Sequence, residues 1–516
     1  MAIRRVLGRE WFTGLVSFLA WALVFSVIYA QSPLYTSNQN AYFLHGLAQA
    51  GLGNLSRDWL ATRQESMPVF SWLVYITYTI FHSKVPFYFY YALLMGVYLF
   101  SMYGIMDRVF DLRKSKTRTL LFLALFLLAH SAALRFVFSR LVSTDSTFLL
   151  EGGVAGQRIL GQVFQPSTFG VLLVLSIYLF MRQKPFWSLV PIAVAIYFHP
   201  VYLLGGALLT IAYMWIIFRN GRNWKQALLL GTVSLLLVSP ALIYTIRVFS
   251  DRDRRLAQEA LDILVNFRNP QHALISSWLN WTVLVQALVL LAGLVIVRKT
   301  KLFTILVIVT SGVLILTVTQ FVSGNQWLAL IFPWRASVLL IPLGTTILIA
   351  WGVTKFSNGF KQFSKAERWL TLASILMLAG LIVVGALRFQ IESARQLADP
   401  ARPMMKYVAA NSSSNDLYMV PSKMEDFRLV TGEPVLVDFK SAPDQDADVM
   451  EWYDRLQRIS WYYGGNDAPC KILSDMRARY GVTRVVVERA SPRTLCRSLP
   501  VVYQDAVYRI YALASR

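Results

Sequence analysis

Acidic residues are few, 28 against 50 lysines and arginines, and cysteine and histidine are scarcer still, at two and five. So small a stock of thiols and imidazoles argues against a zinc or iron–sulfur protein, and no cluster of His, Cys or acids has the spacing of a structural metal site. There is no GxSxG nucleophile elbow, no glycine-rich nucleotide loop, no internal repeat and no low-complexity tract. Charged residues of either sign amount to only 15% of the 516. That is too little for the surface of an ordinary soluble protein.

What the chain has instead is apolar sequence: 56% hydrophobic and 14% aromatic residues, gathered into repeated runs of about twenty, the length that crosses a bilayer core. It is expected to be an all-α polytopic membrane protein. A formal charge of +22 invites a nucleic-acid reading, but the basic residues sit in short clusters between apolar runs, as cytoplasmic loops do. From Arg388 onward lie 18 of the basic and 16 of the acidic residues. The excess positive charge therefore belongs to the membrane part, and nucleic acid is rejected as a partner.

Arg4, Arg5 and Arg9 should hold the N-terminus in the cytoplasm, and the first run, about 11–30, reads as a retained signal anchor with no cleavage site after it. The run Val69–Phe81 is short. If it crossed, Val85–Met106 would run outward and leave Arg108, Arg113, Lys114, Lys116 and Arg118 on the wrong face. It therefore reads as a juxtamembrane helix in the interface. Spans are then expected at about 11–30, 85–106, 119–139, 167–181, 186–199, 201–218, 227–246, 276–297, 302–322, 336–354 and 369–387, about eleven in all. Basic loops at 182–184, 219–225, 298–301 and 355–368 fall on the cytoplasmic side, and mixed loops at 140–166, 247–275 and 323–335 fall on the other. The cytoplasmic (inner) membrane is the expected location.

After residue 387 the pattern becomes that of a soluble protein. Helical periodicity at 391–411, 447–463 and 470–480 is interleaved with DLYMVP, PVLVDF, TRVVVER, PVVYQD and AVYRIYAL, which read as strands. The expected domains are 1–387 in the membrane, with 31–84 as the first extracytoplasmic loop, and 388–516 as a small extracytoplasmic α/β domain. Cys470 and Cys496, the only cysteines, are compatible with one disulfide there or with two buried thiols.

The loop from Gln31 to Pro68 concentrates unusual chemistry: amides at Asn38, Gln39 and Asn40, a histidine at His45, and carboxylates at Asp58, beside Trp59, and Glu65. Its stretch SNQNAYFLHGLAQAG, the Asp58-Trp59 pair and the helix opener MPVFSWLVYITYTIF resemble the first loop of the GT-C superfamily of membrane glycosyltransferases, of the aminoarabinose and protein mannosyltransferase types. FPWRASVLLIP, and in the tail DFRLVTGEPVLVDFKS, EWYDRL, YGVTRVVVER and VVYQDAVYRIYAL, look like an uncharacterised family of bacterial polytopic proteins with that architecture. The resemblance implies transfer of a sugar from a polyprenyl-phosphate donor to an extracytoplasmic acceptor in the cell envelope.

Transferases of that kind place an acidic pair just after the first span, whereas this chain has Ser37, Asn38, Gln39 and Asn40. Carboxamides bind a sugar hydroxyl but do not take its proton. The base is then expected elsewhere in the loop, at Asp58 first and Glu65 second. A carboxylate at Asp58 equally reads as the N-cap of an interfacial helix.

For the lipid phosphate, Arg158 in the 140–166 loop and Arg335 at the start of a span are the expected cations, because a guanidinium makes paired, charge-assisted bonds to phosphate oxygens. Each also reads as an interfacial arginine paired with lipid or with an acid such as Glu151. Asp145 and Glu151 are expected in support. His45 and His199 are further substrate-binding candidates, His199 being open to a plain packing reading, and His130 with Arg135 reads as a polar track or a helix-to-helix hydrogen bond. A divalent cation held by Asp58 with Asp145 or Glu151 is open on residue type but has no support from spacing. Two further readings share the scaffold: a non-catalytic binding or transport protein for lipid-linked saccharides, and a structural partner in an envelope assembly.

Overall fold

The computed structural model describes residues 2–249, 253–359, 363–465, 468–491 and 499–513, which fall into two compact units. The first comprises Met1–Gln31, Phe87–Tyr244 and Asn269–Gln390; the second comprises Ser32–Pro86, Thr245–Arg268 and Ile391–Arg516. The chain is a multi-pass helical membrane protein with a small α/β unit. The first loop, expected to belong with the membrane part, folds into the same compact unit as the C-terminal segment.

In the first unit each expected apolar run is helical over most of its length. Seven described helices are long and apolar enough to cross a membrane, among them Pro86–Phe110, Tyr202–Gly221 and Lys301–Ser323. Two expected spans are much shorter: Val171–Met181 has 11 residues and Leu189–Phe198 has 10. The 3₁₀ turn Pro166–Gly170 lengthens the first into one apolar helix, Pro166–Met181, whereas the second, at 1.5 Å per residue, covers about half of a hydrocarbon core roughly 30 Å thick. The run 119–139 is also broken. Lys116–Ala129 ends at His130, and Ser131 starts the next helix, Ala132–Val137, by accepting the Leu134 N–H at 3.1 Å. That break places Arg135 and the His130 carbonyl at one corner, where the Arg135 Nη1 donates to the carbonyl oxygen at 3.2 Å.

In the second unit a four-stranded sheet has the order β1-β2-β4-β3, with β1 Tyr418–Met419, β2 Arg484–Glu488, β3 Val501–Gln504 and β4 Tyr508–Ala512. β1 and β2 are parallel, and β4 is antiparallel to both β2 and β3. The period-two pattern of β2 sends Val485 and Val487 into a core with Trp452, Leu456 and Tyr511, and Val486 into another with Met404, Phe427 and Ile510. The helices Asp446–Tyr463 and Pro469–Tyr480 stand close to where the periodicity put them, whereas the helical pattern expected over 391–411 is divided between the end of Phe363–Leu397 and Arg402–Asn411. PVLVDF, expected as a strand, makes only a single bridge, Tyr418 to Val435. The ladder bonds there are made by the Pro434 carbonyl and the Leu436 N–H with Tyr418, while the Val435 N–H donates to the Asp58 carboxylate at 3.0 Å.

Pro68–Phe81, the expected juxtamembrane helix, has 14 residues and buries Phe70, Ser71, Val74 and Thr77. Its other face leaves Trp72, Ile80 and Phe81 exposed. Gly46 lets the preceding helix approach it, because a methyl there would strike the Ser71 carbonyl.

Trp452 is fully buried and its Nε1 donates to the Asp438 carbonyl at 3.0 Å. Trp452→Ala should therefore destabilise the second unit by about 3–5 kcal/mol, as large-to-small core changes do. Thermal unfolding of the purified full chain, with proteolysis of the C-terminal segment as readout, checks this; an unchanged midpoint would contradict the packing described.

Candidate functional site

Asp58 follows a 3₁₀ turn, Leu55–Arg57, where its backbone is extended. Its carboxylate is fully buried. Oδ2 accepts from Arg428 Nε at 2.7 Å and from the Val435 N–H, and Oδ1 accepts from the Leu60 N–H at 3.0 Å. Arg428 is itself buried and its Nη1 is paired with Asp438, whose Oδ1 accepts the Ser441 N–H at 2.7 Å.

The loop around this triad is fastened to the same segment. The Asn54 N–H donates to the Gly432 carbonyl at 2.7 Å, and Asn54 Nδ2 donates to both Glu433 oxygens. Gly53 and Gly432, both at positive φ, approach so closely that a side chain on Gly53 would strike the Gly432 carbonyl. Ser66 N–H donates to Asp444, Arg63 pairs with Asp448, and the Arg455 guanidinium lies 4.2 Å over Trp59. Expected as a base with an N-cap alternative, Asp58 here has its oxygens occupied by a cation and two N–H groups. That is the setting of an anchor.

The rest of the loop supplies a second, partly open group. Glu65 accepts from the Ser71 hydroxyl and lies 3.8 Å from His45, whose Nε2 faces the Arg63 carbonyl at 3.2 Å. Burial pushes the Glu65 carboxyl above its ordinary range, against the pull of His45 and Ser71. In the amide tetrad, Gln39 is buried with its Oε1 accepting the Tyr35 N–H at 2.9 Å, Asn40 is buried with Oδ1 unbonded among the described residues, and Asn38 is partly exposed. Ser37 and Tyr35 both hold positive φ, a conformation costly outside glycine and concentrated at binding loops.

In the first unit the 143–170 loop is buried to a degree rare for a loop, which forces its polar groups to find partners. Glu151 is buried and its Oε1 meets Arg135 Nη1 at 3.1 Å, while its Oε2 has no hydrogen-bond partner among the described residues. Arg135 also donates to the Tyr29 carbonyl and lies 4.0 Å over the Tyr29 ring. The Arg158 guanidinium stacks 3.8 Å over Phe148 and makes no hydrogen bond among the described residues. Burial pushes the Glu151 carboxyl up to about 7, with Arg135 and then Arg158 pulling the other way. Burial likewise holds Arg158 below its usual range, with Tyr29 and Glu151 opposing. Gln286 Nε2 holds the loop by donating to the Leu149 and Gly152 carbonyls, and the Val154 N–H donates to Ser337 Oγ at 2.9 Å.

The structure thus brings Glu151 and Arg158 together and adds Arg135, Tyr29 and Gln286, which the sequence reading did not assign to a site. The signal for Arg135 was present: an ionisable residue inside an apolar run is a functional candidate by default. Asp145 is exposed in a 3₁₀ turn. His199 is buried, packs edge-on to Tyr202 at 5.7 Å and lies within electrostatic range of Arg335. Arg335 lines a small pocket with Tyr202, Phe332 and Leu339. His130 stacks on Phe126 at 4.3 Å, its Nδ1 faces the Phe126 carbonyl, and its Nε2 lies 3.4 Å from the Tyr98 hydroxyl of the neighbouring helix Pro86–Phe110, the helix-to-helix hydrogen bond the sequence allowed. Cys470 is disulfide-bonded, while Cys496 lies outside the described residues. Among the described residues no group of three or more His, Cys, Asp or Glu is arranged to hold a metal ion.

A family model described as a domain of unknown function, DUF6798, matches residues 399–459. Among solved structures the chain is similar to ArnT from Cupriavidus metallidurans, crystallised with undecaprenyl phosphate. The identity is 13% over 97% of this chain and 98% of that one, with a TM-score of 0.45. No curated protein matches the chain.

Removing one partner of a buried ion pair strands the other, at a cost of about 3–5 kcal/mol. Asp58→Asn and Arg428→Leu should each lower the midpoint of thermal unfolding sharply, and Asp145→Asn, at an exposed position, should not. Equal, small shifts in all three would contradict the anchoring role.

Proposed function

We propose that the chain is a GT-C-type membrane glycosyltransferase that moves a sugar from a polyprenyl-phosphate donor to an acceptor hydroxyl at the extracytoplasmic face of the cytoplasmic membrane. The observation that carries this reading is a buried carboxyl displaced towards neutral pH, Glu151, held by Arg135 on one oxygen with its other oxygen unbonded among the described residues, within electrostatic range of the Arg158 guanidinium. A general base works best with a pKa near the working pH, and a leaving phosphate needs a cation in place before its charge develops. In this reading the acceptor oxygen attacks the anomeric carbon, its proton passes to Glu151 Oε2, and the bond from the anomeric carbon to the phosphate oxygen breaks. The phosphate departs with its added negative charge against Arg158. Arg135 orients Glu151 through its hydrogen bond to Oε1. Arg335, beside His199 in the same unit, is a second cation for the lipid phosphate. Asp58 serves as the anchor of the first loop. No step passes through a metal ion.

A second reading, a non-catalytic carrier of lipid-linked saccharides, draws on a specific feature: the tetrad at Ser37–Asn40 has no acid, and Asp58 is committed to Arg428. Turnover separates the two. With purified protein in nanodiscs and radiolabelled polyprenyl-phosphate sugars, Glu151→Gln should lower turnover by about 10²–10⁴-fold with donor binding retained. Arg158→Ala should weaken donor binding. Donor binding that depends on Arg158, with no release of lipid phosphate for any acceptor tried, would favour the carrier.

The pH dependence has a definite sign. The base acts ionised, so turnover should rise as pH passes upward through about 7 and fall below it. Because the native value lies above the ordinary 4.5, ionising Glu151 costs native stability over that same interval, so stability should decline as pH climbs from the ordinary value towards about 7. A turnover profile flat across this range would contradict the assignment of Glu151.

A further inference from the structure

The helix Pro86–Phe110 ends in the sequence DRVF, followed by DLRK, and beside it the helix Val171–Met181 ends at Arg182. Together they enclose a polar cavity of about 120 Å³ lined by Gly104, Asp107, Arg108, Asp111, Arg113, Tyr178 and Arg182. That is roughly four times the volume a water takes in the liquid, about 30 Å³, and enough for a tetrahedral oxyanion. Its charges are unevenly committed. Asp107 is spent on Arg113, accepting from Nε at 3.1 Å and from the backbone N–H at 2.9 Å. Arg113 is further held by lying 5.7 Å from the Tyr103 ring centre. The guanidiniums of Arg108 and Arg182 make no hydrogen bond or ion pair among the described residues, and only Asp111 remains to oppose them.

The cavity also has a shaped wall. Gly104 has no side chain where one would collide with the Tyr178 ring, so that ring, edge-on to Phe100 at 5.3 Å, settles into the helix and stands at the cavity's side. All these residues lie in the first unit, at the helix ends where the positive-inside rule expects the cytoplasmic leaflet, opposite to the face assigned to transfer chemistry.

We propose that this cavity binds a phosphate group, with Arg108 and Arg182 supplying its donors and Arg113 the supporting charge. The phosphate is either that of an anionic lipid headgroup or a free one. Basic pockets between spans at the cytoplasmic leaflet suit phosphate-bearing headgroups, and two uncommitted guanidiniums offer more hydrogen bonds than one surface cation.

The test is retention of phosphatidylglycerol by the full chain, purified from nanodiscs of phosphatidylcholine with and without phosphatidylglycerol and read by native mass spectrometry. Arg108→Gln/Arg182→Gln should lose about thirtyfold in apparent lipid affinity. Arg298→Gln/Lys299→Gln, which removes the same charge from another basic loop, should change it within about twofold. Gly104→Ala keeps every charge but drives Tyr178 aside, and should also lower retention. Competition by inorganic phosphate identifies a free phosphate as the ligand, and its failure to compete identifies the headgroup. The proposal is overturned if both double variants lose affinity equally, which means surface charge alone, or if Gly104→Ala and Arg108→Gln/Arg182→Gln both retain lipid as the unaltered chain does. Arg108 and Arg182 are exposed, and an unchanged unfolding midpoint certifies that the fold persists.

Discussion

The arrangement of the second unit depends on one buried guanidinium. Arg428 sits between the carboxylates of Asp58 and Asp438, all three withdrawn from water. Such a cluster is weak evidence for net stability, since desolvation offsets much of the attraction, but it is severe on alternatives. Any other docking of the first loop leaves a charge buried without its partner. The cluster therefore specifies which segment lies against which. The surrounding contacts, Asn54 to Glu433, Ser66 to Asp444 and Trp59 under Arg455, then follow from one register. The first loop is held as a rigid shelf of the second unit, with its amides and Glu65 carried on it.

The first unit treats charge differently. Glu151 and Arg135 are paired, yet one buried Glu151 oxygen has no hydrogen-bond partner among the described residues, and the half-buried Arg158 head lies over Phe148. Buried polar groups are seldom left so unless something else is meant to meet them. The same desolvation that makes the arrangement costly is what raises the Glu151 carboxyl towards neutrality. Cost and chemical competence have one origin.

Much of the fold was legible in the chain because hydropathy and period are local properties. Most of the apolar runs and two of the three soluble helices stand where the periodicity put them, and β2 alternates as its valines do. Failures came where a distant partner decides. PVLVDF reads as a strand by composition but makes an isolated bridge to Tyr418, and nothing near Val435 in sequence announces that its N–H meets Asp58. Asp58 was read as a base or a cap because its partner Arg428 is 370 residues away. The raised proton affinity of Glu151 was not legible because desolvation, which sets it, is a property of the folded loop. Arg158 was legible as a cation beside an acid; that its ring neighbour is Phe148 was not. The two short helices, Val171–Met181 and Leu189–Phe198, read as spans because the apolar runs continue past residues where the backbone turns.

The division of labour between the two carboxylates, Asp58 as anchor and Glu151 as base, is tested most directly by turnover per folded molecule of Asp58→Asn, assayed well below its own unfolding midpoint. Lipid phosphate released at close to the unaltered rate by the folded fraction is the result this account predicts. A folded Asp58→Asn protein that binds donor but releases none would return the base to the first loop and contradict it.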